Sequence, residues 1–186
     1  MIRSFLAVGV AIAAAGCSVA AQAPEASVTG GTVQGIQTDG VRVFKGIPYA
    51  APPVGDLRWA APEAVVPWDG TRDATEFSPD CPQAPYDPNS IYYRPARPQS
   101  ENCLCLNVWT AAEPDEKRPV MVWINGGALT RGSGAIEAYD GTNFARNGVV
   151  LVTINYRLGP LGFLAHAGLS AESPNKSSGN YGTLDQ

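Results

Sequence analysis

The feature that most constrains the fold is a short apolar run, Val120 to Ile124, which ends abruptly at Asn125-Gly126-Gly127-Ala128. An uninterrupted run of β-branched and aromatic residues is typical of a strand buried on both faces of a sheet. The two glycines let the backbone adopt φ values closed to other residues and let a ligand approach closely. Such a turn can direct bare N–H groups at one point, where they would hold an anion or a reacting oxygen. Taken alone, the glycine pair is more typical of a plain turn between strand and loop.

Composition narrows the possible partners. The chain has 186 residues, 45% of them hydrophobic, which is enough for one core. Its formal net charge of -4 argues against nucleic acid as a partner, because phosphate binding needs a basic face. The cysteines at 17, 81, 103 and 105 form no C-x-x-C pair, and the single histidine, His166, is far from them in sequence. We therefore expect no metal site.

The N-terminus is typical of an export signal. Arg3 precedes a short apolar run of mostly small residues, Phe5 to Gly16, and the run is too short for a membrane span of about 20 residues. Two cleavage sites compete. Ala14-Ala15-Gly16-Cys17 is similar to a bacterial lipobox, in which the cysteine carries a lipid anchor. Ala21-Gln22-Ala23 fits ordinary A-x-A cleavage.

These alternatives define the predicted organisation. Residues 1–23 are a signal peptide, or a lipoprotein signal ending at Gly16, and residues 24–186 belong to one domain. We expect an exported bacterial protein, which is periplasmic, extracellular or an outer-membrane lipoprotein anchored through Cys17.

The first half of the mature chain predicts a hairpin and long loops. Asp39-Gly40 separates two β-rich runs, Val28 to Ile36 and Val41 to Ile47, which is a strong hairpin signal. Proline-rich stretches follow at 48–67 and 77–100. Loops of this length are uncommon unless they are functional or tied down.

A disulfide is the expected tie. An exported protein meets an oxidising compartment, and the pairing we favour is Cys81 with Cys103. Closing that loop would stabilise the fold by roughly 3 kcal/mol in the chain-entropy model. Cys105 is the alternative partner, because positions 103 and 105 of a strand point to the same face.

The second half predicts a βαβ unit. Leu104 to Thr110 alternates like a strand. After Val120 to Ile124, Asp140 can cap a short helix that ends near Arg146, with Gly148 as its C-terminal stop. Val149 to Asn155 is then a second buried strand, parallel to the first. Residues 156–186 are expected to be mostly loop, with a helix beginning near Tyr181.

With these segments placed, the chain resembles the type-B carboxylesterases, the cholinesterase-like branch of the α/β-hydrolase fold. Six stretches carry the resemblance, in order along the chain: Phe44 to Ala50, Pro52 to Trp59, Ser100 to Trp109, Asn125 to Ala128, Asn155 to Phe163, and Gly179 to Gln186. The resemblance implies an α/β fold. It would be the N-terminal part of a mixed, mostly parallel sheet, with an N-terminal β-hairpin and long disulfide-tied loops.

The resemblance also assigns a role to the glycine turn. Gly126, Gly127 and Ala128 would form the oxyanion-hole turn, in which the amides of Gly127 and Ala128 bind the ester carbonyl oxygen as it becomes negative. A third amide would follow the nucleophilic serine. In the family that serine lies in a G-x-S-x-G motif beyond the segment at which this chain ends at Gln186.

No substitute for that motif is apparent in the chain. Gly168-Leu-Ser-Ala-Glu172 lacks the closing glycine, Gly132-Ser133-Gly134 belongs to the loop after the turn, and His166 lies too early to be the base. The family's acid and histidine also come later. We therefore expect an N-terminal fragment that is inactive on its own, and poorly soluble because its buried strands would present open edges.

The resemblance also predicts two ion pairs, from the positions of the charged residues. Arg58 would pair with Glu101, and Arg157 with Asp185.

The chain departs from the family pattern at four positions: Asn125 replaces His or Tyr, Ala128 replaces Gly, Asn102 replaces Asp and Cys105 replaces Tyr. Tyr86, Tyr92 and Tyr93 are candidates for lining a gorge, although loop aromatics are as often simply packed.

The implied function is that of an exported serine carboxylic-ester hydrolase, with a small-molecule ester as substrate and no cofactor. The alternatives are a non-catalytic binding or adhesion protein on the same fold, or an inactive gene remnant. Acyl and alcohol specificity and oligomeric state do not follow from the sequence.

Overall fold

The computed structural model describes residues 23–186, so the predicted signal segment with Cys17 lies outside the described residues. The strands are β1 (Glu25–Val28), β2 (Gly31–Gln34), β3 (Ile36–Thr38), β4 (Val41–Pro48), β5 (Thr71–Asp73), β6 (Cys105–Thr110), β7 (Val120–Ile124) and β8 (Val150–Ile154). The helices are α1 (Thr142–Arg146), α2 (Gly159–Phe163), α3 (Ala167–Glu172) and α4 (Tyr181–Asp185), with 3-10 turns at Gly55–Leu57 and Glu137–Tyr139.

A mixed five-stranded sheet organises the chain, in the order β3-β4-β6-β8-β7. The pairs β3–β4, β4–β6 and β6–β8 are antiparallel. Strands β7 and β8 are parallel and joined through α1, with Met121 opposite Leu151. The predicted βαβ unit is therefore confirmed.

The N-terminal region forms two hairpins where the sequence predicted one. Asp39 and Gly40 join β3 to β4 with φ values of 51° and 78°, as the predicted tight turn requires. The run Val28 to Ile36, expected as a single strand, is instead divided, because the chain reverses at Thr29-Gly30 and β1 pairs antiparallel with β2. Gly30 packs directly on the Trp68 ring, where any Cβ would overlap the indole. A small sheet of order β1-β2-β5 results.

The core consists of three apolar clusters around the main sheet. One surrounds the disulfide and includes Leu104, Tyr156 and Leu158. A second lies between the two sheets around Val33 and Phe44. The third packs helix α1 on strands β4 and β6 around Trp109. Tyr156 and Leu158, which follow β8, therefore pack in the same cluster as the disulfide.

Strand β7 differs from the expectation of a strand buried on both faces. All five of its residues are exposed. Strand β7 is the edge strand, no described residue pairs along its outer side, and helix α1 packs on β4, β6 and β8. Its neighbour β8, which lies between β6 and β7, has Leu151, Thr153 and Ile154 buried.

The C-terminal segment is more helical than predicted. Helix α4 begins at Tyr181 as expected, but α2 and α3 lie in the stretch expected to be mostly loop. Gly162 of α2 and Gly182 of α4 both pack against the Arg157 carbonyl, so close that a Cβ at either position would overlap it. The glycines thus permit close packing here rather than marking a loop. Within residues 23–186, no helix has the length and apolar character needed to cross a membrane.

Candidate active site

The turn after β7 has an unusual backbone. Gly127 has φ 138°, and the next two residues, Ala128 and Leu129, have φ values of 53° and 61°. A Cβ added at Gly127 would overlap the carbonyl of Arg131. Glycine is therefore required at 127, whereas Ala128 adopts a left-handed conformation that is uncommon for a residue with a side chain.

The N–H groups of this turn are unused. Among the hydrogen bonds of residues 23–186, none has the backbone nitrogen of Gly126, Gly127, Ala128 or Leu129 as donor. The Gly127 carbonyl, in contrast, accepts from the nitrogens of Thr130 and Arg131 at 3.1 and 3.2 Å. The turn thus satisfies its acceptor internally and leaves a run of donors free, the arrangement that anion-binding backbone sites use.

Neighbouring elements hold the turn in place. The Tyr156 hydroxyl donates to the Asn125 carbonyl at 2.8 Å, and the Gly159 amide donates to the Leu129 carbonyl at 2.7 Å. The Gln83 side chain binds both sides of Gly132, accepting from its N–H at 2.8 Å and donating to its carbonyl at 2.9 Å. Donors fixed in this way need no reorganisation when charge develops in front of them.

A buried polar network anchors the loop that follows. The Ser133 hydroxyl donates to Asp80 at 2.6 Å, and the Gly134 amide donates to the Asn155 side chain at 2.8 Å. The Thr153 hydroxyl donates to the Gly134 carbonyl at 2.8 Å. Because these polar side chains are buried and paired, they fix the loop relative to the sheet.

The turn opens onto a cavity of about 620 Å³. Its walls include Gly126 to Ala128, Tyr86, Tyr92, Arg94, Arg131 and Tyr139. Two of the three tyrosines named as gorge candidates therefore line it, while Tyr93 does not. The volume is within the range of small-molecule sites, about 300–1,000 Å³.

Asn125 and Ala128, which depart from the family pattern, border this site differently. Asn125 is buried, and its Oδ1 has no hydrogen-bond partner among the described residues. Ala128 lines the cavity and places a methyl group beside the free amides.

Both predicted ion pairs are present. Arg58 Nε lies 2.6 Å from Glu101, and Arg58 Nη2 bonds the second carboxylate oxygen at 2.7 Å. The guanidinium of Arg157 bonds both oxygens of Asp185 at 2.8 and 2.7 Å, and its backbone amide adds a third bond at 2.9 Å. The first pair is partly exposed, whereas the second is buried.

The cysteines of the described chain and His166 make structural contacts and do not line the cavity beside the glycine turn. Cys81 and Cys103 form the disulfide, and Cys105 is a buried free thiol whose pKa is raised by burial. His166 caps α3, with its Nδ1 accepting the Gly168 amide at 3.1 Å.

The two serines considered as substitutes for the nucleophile are bound elsewhere. Ser133 is buried against Asp80, and Ser170 lies in α3 at 2.7 Å from the Ser178 hydroxyl. Neither is on a strand-to-helix turn, where a nucleophile elbow would be.

The sequence reasoning missed Gln83, Arg94 and Arg131. The only signal for the first two was the unexplained length of the loop at 77–100, and nothing marked Arg131 beyond its closeness to the turn.

The profile of the carboxylesterase family matches residues 22–186. The fumonisin B1 esterase of Sphingopyxis macrogoltabida is 51% identical over 158 residues, covering 83% of this chain and 28% of that protein. The para-nitrobenzyl esterase of Bacillus subtilis is 47% identical over 158 residues, covering 84% of this chain and 31% of that protein. The chain therefore spans about a third of the length of these relatives.

Solved structures agree with the fold. A PNB esterase superposes with a TM-score of 0.78 at 43% identity, over 89% of this chain and 33% of that one. A carboxylesterase of Geobacillus stearothermophilus gives a TM-score of 0.74 at 44% identity, over 87% of this chain and 32% of that one. The described residues thus have the fold of the N-terminal part of an α/β-hydrolase.

Proposed function

Because the chain belongs to the carboxylesterase family, we propose that it supplies the oxyanion-binding part of a serine carboxylic-ester hydrolase. The observation that carries the proposal is the set of free backbone amides at 126–128 in the wall of a cavity of about 620 Å³. Gly127 and Ala128 are the two donors.

The proposed mechanism is acyl transfer. A serine attacks the ester carbonyl, and negative charge develops on its oxygen. Two fixed N–H donors in a partly enclosed cavity stabilise that charge more strongly than they stabilise the neutral carbonyl, so the barrier falls. The serine, its histidine base and the acid that orients the base would lie outside residues 23–186, and the 186-residue chain alone would be inactive. No cofactor enters this mechanism.

A second candidate is a non-catalytic binding protein on the same fold. Asn125 and Ala128 favour it, because both differ from the residues usual in the family at the turn that catalysis depends on. A gene remnant is the third possibility.

The deciding experiment begins with the coding DNA beyond Gln186. We expect an in-frame G-x-S-x-G motif followed by an acid and a histidine, and hydrolysis of 4-nitrophenyl butyrate by the product of the complete reading frame. An open frame without the serine would support the binding protein, and a stop codon would support the remnant.

Substituting the turn tests the role of the amides. Gly127→Ala in the product of the complete reading frame forces the turn away from the Arg131 carbonyl and should lower its kcat by about 10²–10³, as loss of one oxyanion donor does. The control is Gly70→Ala, a glycine with φ 71° and open space around it. Unchanged kcat in Gly127→Ala would exclude the proposed role.

The proposal extends to export. Residues 1–23 would be removed as a signal, or cleavage would precede a lipid-bearing Cys17, leaving a domain that begins near residue 24. Support comes from the disulfide, which requires an oxidising compartment, and from the family match, which starts at residue 22. Mass spectrometry of the mature N-terminus distinguishes lipidated Cys17 from cleavage after Ala23, and an intact Met1 would contradict both.

A further inference from the structure

We propose that the cavity beside the glycine turn selects esters that carry a free carboxylate, which Arg94 and Arg131 bind while the turn holds the ester carbonyl. This proposal rests on the proposed function, since it names the substrate class of the same site.

The charge lining the cavity differs from that of the whole chain. The chain carries a net charge of -4, yet the cavity wall includes two arginines and no aspartate or glutamate from the described residues. Neither Arg94 nor Arg131 forms an ion pair within residues 23–186, whereas five other arginines of that range do. Two unpaired guanidinium groups in one cavity without acids favour an anionic ligand.

Arg131 lies immediately beside the turn. Its backbone nitrogen donates to the Gly127 carbonyl at 3.2 Å, and its Cγ would be 3.3 Å from a Cβ added at Gly127. Its guanidinium lies 5.2 Å from the centroid of the Tyr86 ring. A planar guanidinium held on an aromatic face keeps its N–H groups free for a carboxylate, which it can bind through two parallel hydrogen bonds.

Arg94 reaches the same cavity from the loop at 77–100. One of its nitrogens donates to the Tyr93 carbonyl at 2.7 Å, which holds the side chain near its own backbone and leaves the other N–H groups available. The two arginines therefore approach from separate segments of the chain.

The hydrogen bonds of Gln83 set the spacing between those segments. Gln83 binds both backbone groups of Gly132, next to Arg131, while Gln99 accepts from the Gln83 amide at 3.0 Å and donates to its carbonyl at 3.1 Å. These hydrogen bonds tie the start and the end of the loop at 77–100 to the segment that follows the glycine turn. The two arginines therefore lie in a wall of the cavity that hydrogen bonds hold in place.

The size of the cavity sets the kind of substrate. A volume of about 620 Å³ admits a small acyl chain with a second acid group, such as a half-ester of a dicarboxylic acid. Monomethyl glutarate and dimethyl glutarate form a matched probe pair, because they differ only in whether the second acid is free.

The test is a binding titration with each probe of the ¹⁵N-labelled product of the complete reading frame, in which any G-x-S-x-G serine is replaced by alanine so that neither probe is hydrolysed, followed by the amide resonances of Gly127 and Ala128. We expect the half-ester to bind about tenfold more tightly than the diester, the scale of one charge-assisted hydrogen bond. Raising the salt concentration should reduce the difference, because ions screen a partly exposed pair.

Arg131→Gln and Arg94→Gln should each reduce the preference for the half-ester. Arg42→Gln is the matched control, because Arg42 is also outside the ion pairs of the described chain but lies on β4, away from the cavity wall. An unchanged amide fingerprint shows that each variant is folded. Equal binding of the two probes, binding of neither, or a preference that survives both substitutions would overturn the proposal.

The outcome is separable from that of the proposed function. If the complete reading frame hydrolyses both glutarate esters with equal kcat/KM, the enzyme assignment stands and the carboxylate preference fails. If no hydrolysis occurs but the half-ester binds selectively through the arginines, the preference stands and the enzyme assignment fails.

Discussion

Strands β7 and β8 are neighbours with nearly the same composition, yet they have opposite environments. Each has five residues, Val-Met-Val-Trp-Ile in β7 and Val-Leu-Val-Thr-Ile in β8, and they pair in parallel from Val120↔Val150 to Ile124↔Ile154. Leu151 is 3% exposed, whereas Met121 opposite it is 43% exposed. The difference arises from position in the sheet. Strand β8 lies between two strands and helix α1 packs on it as on β4 and β6, whereas β7 lies at the edge.

The segments that follow the two strands differ in the same way. After β8, Asn155 to Leu158 is buried, and its polar groups are paired with distant parts of the chain. After β7, the turn keeps its amides free and faces a cavity. The buried strand therefore acts as the support, and the edge strand presents the groups that would meet a substrate.

The largest effect should come from breaking the buried ion pair after β8. Asp185→Asn leaves the Arg157 guanidinium, 3% exposed, without a compensating charge. The free energy of unfolding should fall by about 3–5 kcal/mol, measured by urea titration with tryptophan fluorescence.

Asp39→Asn is the matched control. Asp39 pairs with Arg146 at 2.9 Å, but both side chains are well exposed, so the loss should be less than about 1 kcal/mol. Equal losses in the two variants would mean that burial does not distinguish the pairs.

A direct test of the two strands compares opposite residues. Leu151→Ala removes a buried side chain and should lower the free energy of unfolding by about 2–5 kcal/mol. Met121→Ala, at the paired position on β7, should lower it by about 1 kcal/mol or less, since nearly half of that side chain already contacts water. A similar loss in both variants, by the same urea titration, would contradict the edge position of β7.

These strands also show what the sequence can and cannot predict. The apolar runs identified both strands, and the glycine pair identified the turn, because local composition determines strand propensity and φ. Position in the sheet depends on pairings distant in sequence, so burial was predicted equally for both runs and is wrong for β7. Helix α2 was missed because Gly162, which packs against the Arg157 carbonyl, looks like a loop residue to any local criterion. Helix α3 was missed because its six residues, which include Gly168, are too few to show a helical period.

A hydrogen bond to the segment after β8 predicts that the stability of the fold falls at alkaline pH. The Tyr49 hydroxyl donates to the Asn155 carbonyl at 2.7 Å. Burial, and then the charge of Asp185, raises the pKa of Tyr49 above its ordinary value of 10.0. The folded state thus favours the neutral phenol, and this contribution to stability is present below pH 10 and lost as the pH rises above it.

Tyr49→Phe should separate the contribution of the hydrogen bond from that of the ionisation of the phenol. At neutral pH the variant should lose about 1 kcal/mol with the hydrogen bond, whereas above pH 10 its stability should fall less steeply than that of the original chain. Burial also raises the pKa of Cys105. That thiol is present in both proteins, and Tyr49→Phe removes only its coupling to Tyr49, whose pKa the Cys105 charge also raises. Parallel declines above pH 10 would exclude Tyr49 as the cause.

The smallest change in stability should come from a charge on the edge strand. Val122 is exposed, and Val122→Lys should alter the free energy of unfolding by about 0.5 kcal/mol or less, as at other surface positions. Its effect should instead be on self-association, because a lysine on an open edge opposes strand-to-strand pairing between molecules. Sedimentation velocity should show a smaller associated fraction than in the original chain. Val152→Lys, opposite it on β8, should destabilise the chain more than Val122→Lys, since Val152 is half-buried. It should not reduce association, because that strand has a neighbour on each side and no open edge to protect. If both lysines were tolerated, or if Val122→Lys left association unchanged, the edge of β7 would not be the surface through which the chains associate.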